Sequence, residues 1–85
     1  MSDATQFEER FEVVLRRHLR LASPSTRVGD DDELASNGLD SLATVSLLVD
    51  LEETFAVSFP GALLTPATFR TPAALRAAVQ SLVRS

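Results

Sequence analysis

Apolar residues recur along the first part of the chain at the spacing of one helical face. Phe7, Phe11, Val14, Leu15 and His18 follow an i, i+4, i+7, i+8, i+11 pattern with Leu19 beside them, which predicts an amphipathic helix over about residues 3–22. Thr5 and Glu8 have capping-box spacing, with Ser2 or Asp3 as alternative starts. Arg16, Arg17 and Arg20 lie toward the C-terminal end, where cations suit the helix dipole. Ser23-Pro24-Ser25 is the expected stop. The pattern then lapses into a polar connection over residues 23–40, in which Val28, Leu34 and Leu39 are the only sizeable apolar side chains. Connections this long are uncommon in compact domains and are often functional, and Leu34 and Leu39 are the residues expected to pin it down.

A second helix is predicted over residues 41–55, with Thr44, Leu47, Leu48, Leu51 and Phe55 forming one apolar stripe. Its other side carries Leu42, Val45 and Val49, again at helical spacing. A helix in a small bundle needs to bury one face, so a second apolar face is either central or kept for a partner. Thr65-Pro66 and Thr71-Pro72 each place a capping residue before a proline suited to the first helical position. They predict a short third helix over residues 66–69 and a fourth over 72–83, with Leu75, Ala78, Val79 and Leu82 inward. The expected architecture is all-α, a four-helix bundle with one short helix and a long first loop, formed by residues 1–85 as a single domain.

Composition narrows the function classes. Eighty-five residues leave room for one small domain, and 45% apolar content with three glycines argues against disorder. Without cysteine, neither a disulfide nor a zinc cluster built on thiolates can brace the fold. Net charge is −4, and residues 30–53 hold eight acids and no Lys or Arg, whereas the last 30 residues hold three arginines and no acid. An acidic middle third disfavours nucleic acid and anionic membranes and favours a basic protein partner. No run reaches the length of a membrane span, and the charged N-terminus is unlike a secretory signal, so a cytoplasmic protein is expected.

Candidate chemistry centres on Gly38-Leu39-Asp40-Ser41-Leu42, a turn that runs straight into the second helix. The plain reading is that Asp40 or Ser41 caps that helix. Capping alone explains neither the long loop before it nor the second apolar stripe after it. A hydrolase built on Ser41 would need a base. His18 is the single histidine, it lies on an apolar stripe, and the glycine spacing of a nucleophile elbow is missing. Asp30-Asp31-Asp32-Glu33 lacks the ligand spacing and central glycine of a calcium loop and reads as a solvated acidic stretch, so no metal is expected.

Gly38, Asp40, Ser41 and Leu42 match the Gly-x-Asp-Ser-Leu signature, and here the chain resembles the acyl and peptidyl carrier protein family. The resemblance continues through Phe7-Glu8-Glu9-Arg10-Phe11, Leu51-Glu52-Glu53-Thr54-Phe55, Phe59-Pro60 and the segment from Leu63 to Leu75. It implies a carrier and not an enzyme, with Ser41 as the attachment point of 4′-phosphopantetheine taken from coenzyme A by a phosphopantetheinyl transferase. A phosphodiester there would sit at a helix N-terminus, where free N–H groups favour negative charge. Asp40 is expected to orient the site. Leu42, Val45 and Val49 are expected to form the apolar centre of a docking face, with Glu52 and Glu53 as its acidic rim.

The family's fatty-acid carriers bear further acids along the second helix, where this chain has Ala43 and Ser46. That departure leans toward a discrete carrier of polyketide or nonribosomal peptide assembly. Asn37-Gly38-Leu39-Asp40 leans to the acyl side, with a discrete peptidyl carrier as the alternative. The implied partners are a loading enzyme and ketosynthase, acyltransferase, condensation or tailoring enzymes, and shuttling among them favours a monomer. From a different class, an unmodified helical adaptor would use Leu42, Val45 and Val49 without needing a hydroxyl at residue 41.

Overall fold

In the computed structural model, which describes residues 3–21, 23 and 25–84, three α-helices carry the fold: α1 (Asp3–Arg17), α2 (Ser41–Phe55) and α3 (Pro72–Arg84). Two short 3-10 turns, Leu34–Asn37 and Gly61–Leu63, punctuate the connections. No strand occurs among the described residues. The all-helical class agrees with the hydrophobic pattern, but the expected four-helix count does not.

The missing helix is the one predicted over residues 66–69, which form turns instead. Thr65 does act as a cap, its Oγ1 accepting from the Thr68 N–H at 3.4 Å. The backbone bonds there run Thr68 N–H to Thr65 C=O and Arg70 N–H to Ala67 C=O, both of the three-residue type. Pro72 disfavours the α conformation at Thr71, so few residues are available to offset the cost of nucleating a helix. The same proline starts α3, capped by Thr71 Oγ1, which accepts from the Ala74 N–H at 3.2 Å.

α1 stops earlier than its periodicity suggests. The helix is already under way at Asp3, so the Thr5–Glu8 pair lies within it; Ser2, Ala22 and Pro24 lie outside the described residues. Past Arg17 the bonds tighten to His18 N–H on Leu15 C=O and Leu19 N–H on Arg16 C=O. The Arg20 N–H then leaves the helical ladder altogether and donates to Asn37 C=O at 2.8 Å. A long-range bond to the loop ends this helix, several residues before the Ser-Pro signal.

The core gathers Phe11, Val14 and Leu15 of α1, Leu47 and Leu51 of α2, and Leu75, Ala78 and Val79 of α3, all buried. Leu34 and Leu39 complete it from the long loop, with Phe59 from the connection after α2. Phe7 packs at 5.1 Å between ring centroids on Phe55, and Phe59 at 5.9 Å on Phe69. Burying these side chains supplies the driving force, at roughly 1.5–3 kcal/mol for each large apolar residue.

Arginines lace the helices from outside. Arg10 donates to Thr54 C=O at 2.7 Å and lies over the Phe55 ring, joining α1 to the carbonyl end of α2. Arg76 of α3 lies over Phe11, with its guanidinium 3.6 Å from Glu8 and 3.0 Å from Asp30. The loop's acids are therefore not simply solvated. Asp30 holds Arg76 and offers its C=O to the Ala73 N–H, Asp32 accepts from the Gly29 N–H at 2.7 Å, and Glu33 pairs with Arg70.

Candidate functional site

The loop delivers its last residues to α2 through a tight passage at Gly38. This residue ends the first 3-10 turn with φ +96°, a left-handed conformation that side chains rarely adopt. A Cβ here would stand 2.8 Å from Arg20 Cβ and Cγ and 3.0 Å from the Arg20 nitrogen. Glycine is thus required twice, by conformation and by close approach to the end of α1. Leu39 then drops into the core, its N–H donating to Leu34 C=O at 3.1 Å.

Asp40 is the N-cap of α2, in extended conformation, with Oδ1 accepting from the Ala43 N–H at 2.8 Å. Its carbonyl receives both the N–H and the hydroxyl of Thr44, each at 2.8 Å. Of the two residues that sequence offers as caps, Asp40 therefore does the work. Ser41 is the first helical residue, exposed, and its hydroxyl has no hydrogen-bond partner among the described residues. A free hydroxyl beside the unsatisfied N–H groups of a helix start is a suitable place for a phosphodiester.

Beyond Ser41, α2 divides into three sides. Leu47 and Leu51 face the core, with Thr44, Leu48 and Phe55 partly buried beside them. A second side is open: Leu42 is 81% exposed, Val45 59% and Val49 46%. Glu53 is exposed near this side, but Glu52 is only partly free for it. Glu52 Oε2 accepts from the Phe59 N–H at 2.8 Å, tying one of its oxygens to the chain's own turn after α2. Of the two acids, Glu53 is exposed and Glu52 half-buried.

The third side of α2 meets the end of α1. Asp50 Oδ2 lies 2.9 Å from His18 Nε2 and 3.3 Å from Arg17 Nη1, and Thr54 Oγ1 donates to its Oδ1 at 3.2 Å. The hydrogen bond from His18 is the main reason that the Asp50 carboxyl sits below its ordinary value; Thr54 and Arg17 add to this against the opposing effect of burial. His18, the chain's one histidine, is therefore a brace between helices. The space around Ser41 is lined without it. Among the described residues no group of three or more His, Cys, Asp or Glu side chains is gathered to hold a metal.

That space is an open groove of ≈ 950 Å³ between the first half of α2 and residues 64–70. Leu39, Val45, Leu48, Leu64 and Phe69 make it mostly apolar; Ser41 stands in one wall, and Glu33 and Arg70 in another. The Ser41 hydroxyl and an apolar channel thus share one cavity. The contributions of Glu33, Leu64 and Arg70 were hidden in the sequence because Glu33 lies on one connection and the other two on the next.

A family model described as "Phosphopantetheine attachment site" matches residues 9–79, a span that contains Ser41. An aminoacyl carrier protein of Agrobacterium fabrum is 30% identical over 70 residues, covering 82% of this chain and 84% of the relative. A D-alanyl carrier protein of Leuconostoc mesenteroides is 43% identical over 54 residues, covering 62% and 69% respectively. Among solved structures, the fold is similar to a chain in the crystal structure of an engineered Bradyrhizobium japonicum glycine:[carrier protein] ligase complexed with carrier protein from Agrobacterium tumefaciens and ATP. The TM-score is 0.77 at 28% identity, over 88% of this chain and 97% of that one.

Proposed function

From the premise that this chain belongs to the phosphopantetheine-attachment family of carrier proteins, which bear 4′-phosphopantetheine covalently and are not themselves catalysts, we propose that it carries an aminoacyl group on Ser41. The observation that carries the assignment of Ser41 is the division of labour at the start of α2. Asp40 holds the cap, and the Ser41 hydroxyl is left exposed and unpartnered among the described residues. In its modification by a phosphopantetheinyl transferase, Ser41 Oγ attacks the phosphorus of coenzyme A that bears the pantetheine. The P–O–P bond breaks, adenosine 3′,5′-bisphosphate leaves, and the hydroxyl proton goes to a base of the transferase. The arm supplies a thiol that holds cargo as a thioester; the protein supplies position and a docking face.

Aminoacyl cargo is the reading that the relatives favour, since both are named for aminoacyl or D-alanyl groups. The acyl-side lean of the Asp40 motif carries no weight against it. Asp40 caps α2 through Ala43, a task independent of what the arm carries. Leu42, Val45 and Val49 offer the loading ligase an apolar centre, with Glu53 at its edge. A ligase surface with an apolar pocket and a nearby cation fits this face.

The test has two stages. Intact mass is measured before and after incubation with coenzyme A and a promiscuous phosphopantetheinyl transferase, with Ser41→Ala alongside. One increment on the wild type and none on the variant is expected, and an unmodified wild type would turn the reading to the helical adaptor. The modified protein is then offered to a glycine-activating carrier ligase with ATP, and separately to a malonyl transferase. Glycyl loading is expected; malonyl loading alone would restore the polyketide reading.

A further inference from the structure

Glu33 and Arg70 face each other across the rim of the groove that holds Ser41, 3.3 Å apart and with 55% and 69% of their side chains exposed. An ion pair this exposed gives up little when it opens. Nor does the fold depend on it. The Leu34 N–H donates to Arg70 C=O at 2.9 Å, and Leu34 itself is fully buried, so the two segments stay joined when the side chains part. The groove's other carboxylate, Asp40, is committed to the cap of α2. Glu33 is thus the carboxylate of the groove that is free to change partners.

We propose that Glu33 exchanges Arg70 for the α-ammonium of an aminoacyl group whose arm folds back from Ser41 into the groove, making the pair a reader of cargo charge. The occupant follows from the tether: a group anchored at Ser41 is held at high effective concentration beside a channel that Ser41 itself lines. The apolar side chains Leu39, Val45 and Leu64 receive the arm, and Glu33 receives its charged end. When the cargo leaves, Arg70 closes on Glu33 again, so the carboxylate is never left without a counter-charge. A neutral acyl group of the same shape has nothing to offer Glu33 and leaves the pair shut. This inference rests on the aminoacyl-carrier reading and adds to it the residue that distinguishes a charged cargo from a neutral one.

The experiment compares two isosteric cargoes, glycyl and propionyl, each joined by a stable amide to the arm and installed on Ser41 from the matching coenzyme A analogue. Amide shifts of the full chain are followed by NMR. In the wild type, residues 33–35 and 64–70 should shift with glycyl and stay near their unloaded positions with propionyl. Glu33→Gln should abolish that difference, and Arg70→Gln should preserve or enlarge it, since it frees Glu33. Both sites are exposed, and a helical circular-dichroism spectrum verifies that each variant folds. Identical shifts for the two cargoes, or a difference that survives Glu33→Gln, would overturn the proposal. Those results leave the carrier reading standing; absence of any increment at Ser41 is the outcome that removes the carrier reading itself.

Discussion

The two sides of α2 that turn away from the core are built to opposite ends. Toward α1, Asp50 is held by His18, Arg17 and Thr54, so that its carboxylate is saturated. Toward the long loop and beyond, Ser41 has an idle hydroxyl among the described residues, and Leu42, Val45 and Val49 stand open to solvent. The helix is fixed from one side so that it can be used from the other. An exposed apolar face on a loosely held helix would invite collapse or repacking; here the bracing and the core stripe hold its orientation.

The sharpest break of this contrast is at Ser41. Ser41→Ala should eliminate the phosphopantetheine increment in intact mass, an all-or-none effect, while thermal unfolding stays within about 0.5 kcal/mol of the wild type. The small cost follows from Asp40 being the cap. A large loss of stability would mean that the serine has a structural task after all.

Next come paired substitutions across α2. Leu47→Ala, in the core, should destabilise by about 2–5 kcal/mol by leaving a cavity. Val45→Asp, on the open face, should leave denaturant unfolding nearly unchanged yet lower the rate of ligase loading at least about tenfold, the equivalent of losing one well-packed interface contact. If Val45→Asp unfolds the protein and Leu47→Ala does not, the two faces have been assigned the wrong way round.

Gly38→Ala tests the passage between the faces. Its positive φ and the 2.8 Å approach to Arg20 should together cost about 1–3 kcal/mol, read by chemical denaturation. Because the strain falls beside Asp40 and Ser41, modification by the transferase should slow as well. Unchanged stability would show that the loop can move off Arg20 freely.

The smallest effect concerns acid. The folded Asp50 carboxyl lies below its ordinary value, so the unfolded chain binds the proton more readily. Its contribution is therefore complete above the ordinary carboxylate value of 3.8 and is lost as pH falls through the lower folded value. Asp50→Asn should flatten the fall in stability below about pH 4. An acid-unfolding curve of unchanged slope would separate Asp50 from that transition.

How much of this was legible depended on whether local pattern or distant contact decided each element. Leu34 and Leu39 stood out as apolar residues in a polar stretch, and both are buried. The two faces of α2 and the capped start of α3 follow from helical spacing and Thr71-Pro72. The end of α1 was hidden because Arg20 is drawn off by Asn37, a partner 17 residues away that no periodicity reveals. The bond of Glu52 to the returning Phe59 N–H was hidden for the same reason, since its partner lies beyond the helix. The Thr65-Pro66 signal was real as a cap, but the next proline came too soon for a helix to follow. For the groove, three stretches of chain had to be brought together before Glu33 and Arg70 could be seen beside Ser41.

The close fit of Gly38 against Arg20 has a consequence for protein engineering. Residues around 20 and 38 form a single block for recombination, although almost a whole loop separates them in sequence. A chimera with a crossover between Arg20 and Gly38 pairs one parent's helix end with the other parent's glycine turn. Ser41, which follows that turn, then inherits the misfit. A crossover at residues 56–58, beyond α2, keeps this block intact and exchanges the far wall of the groove together with α3.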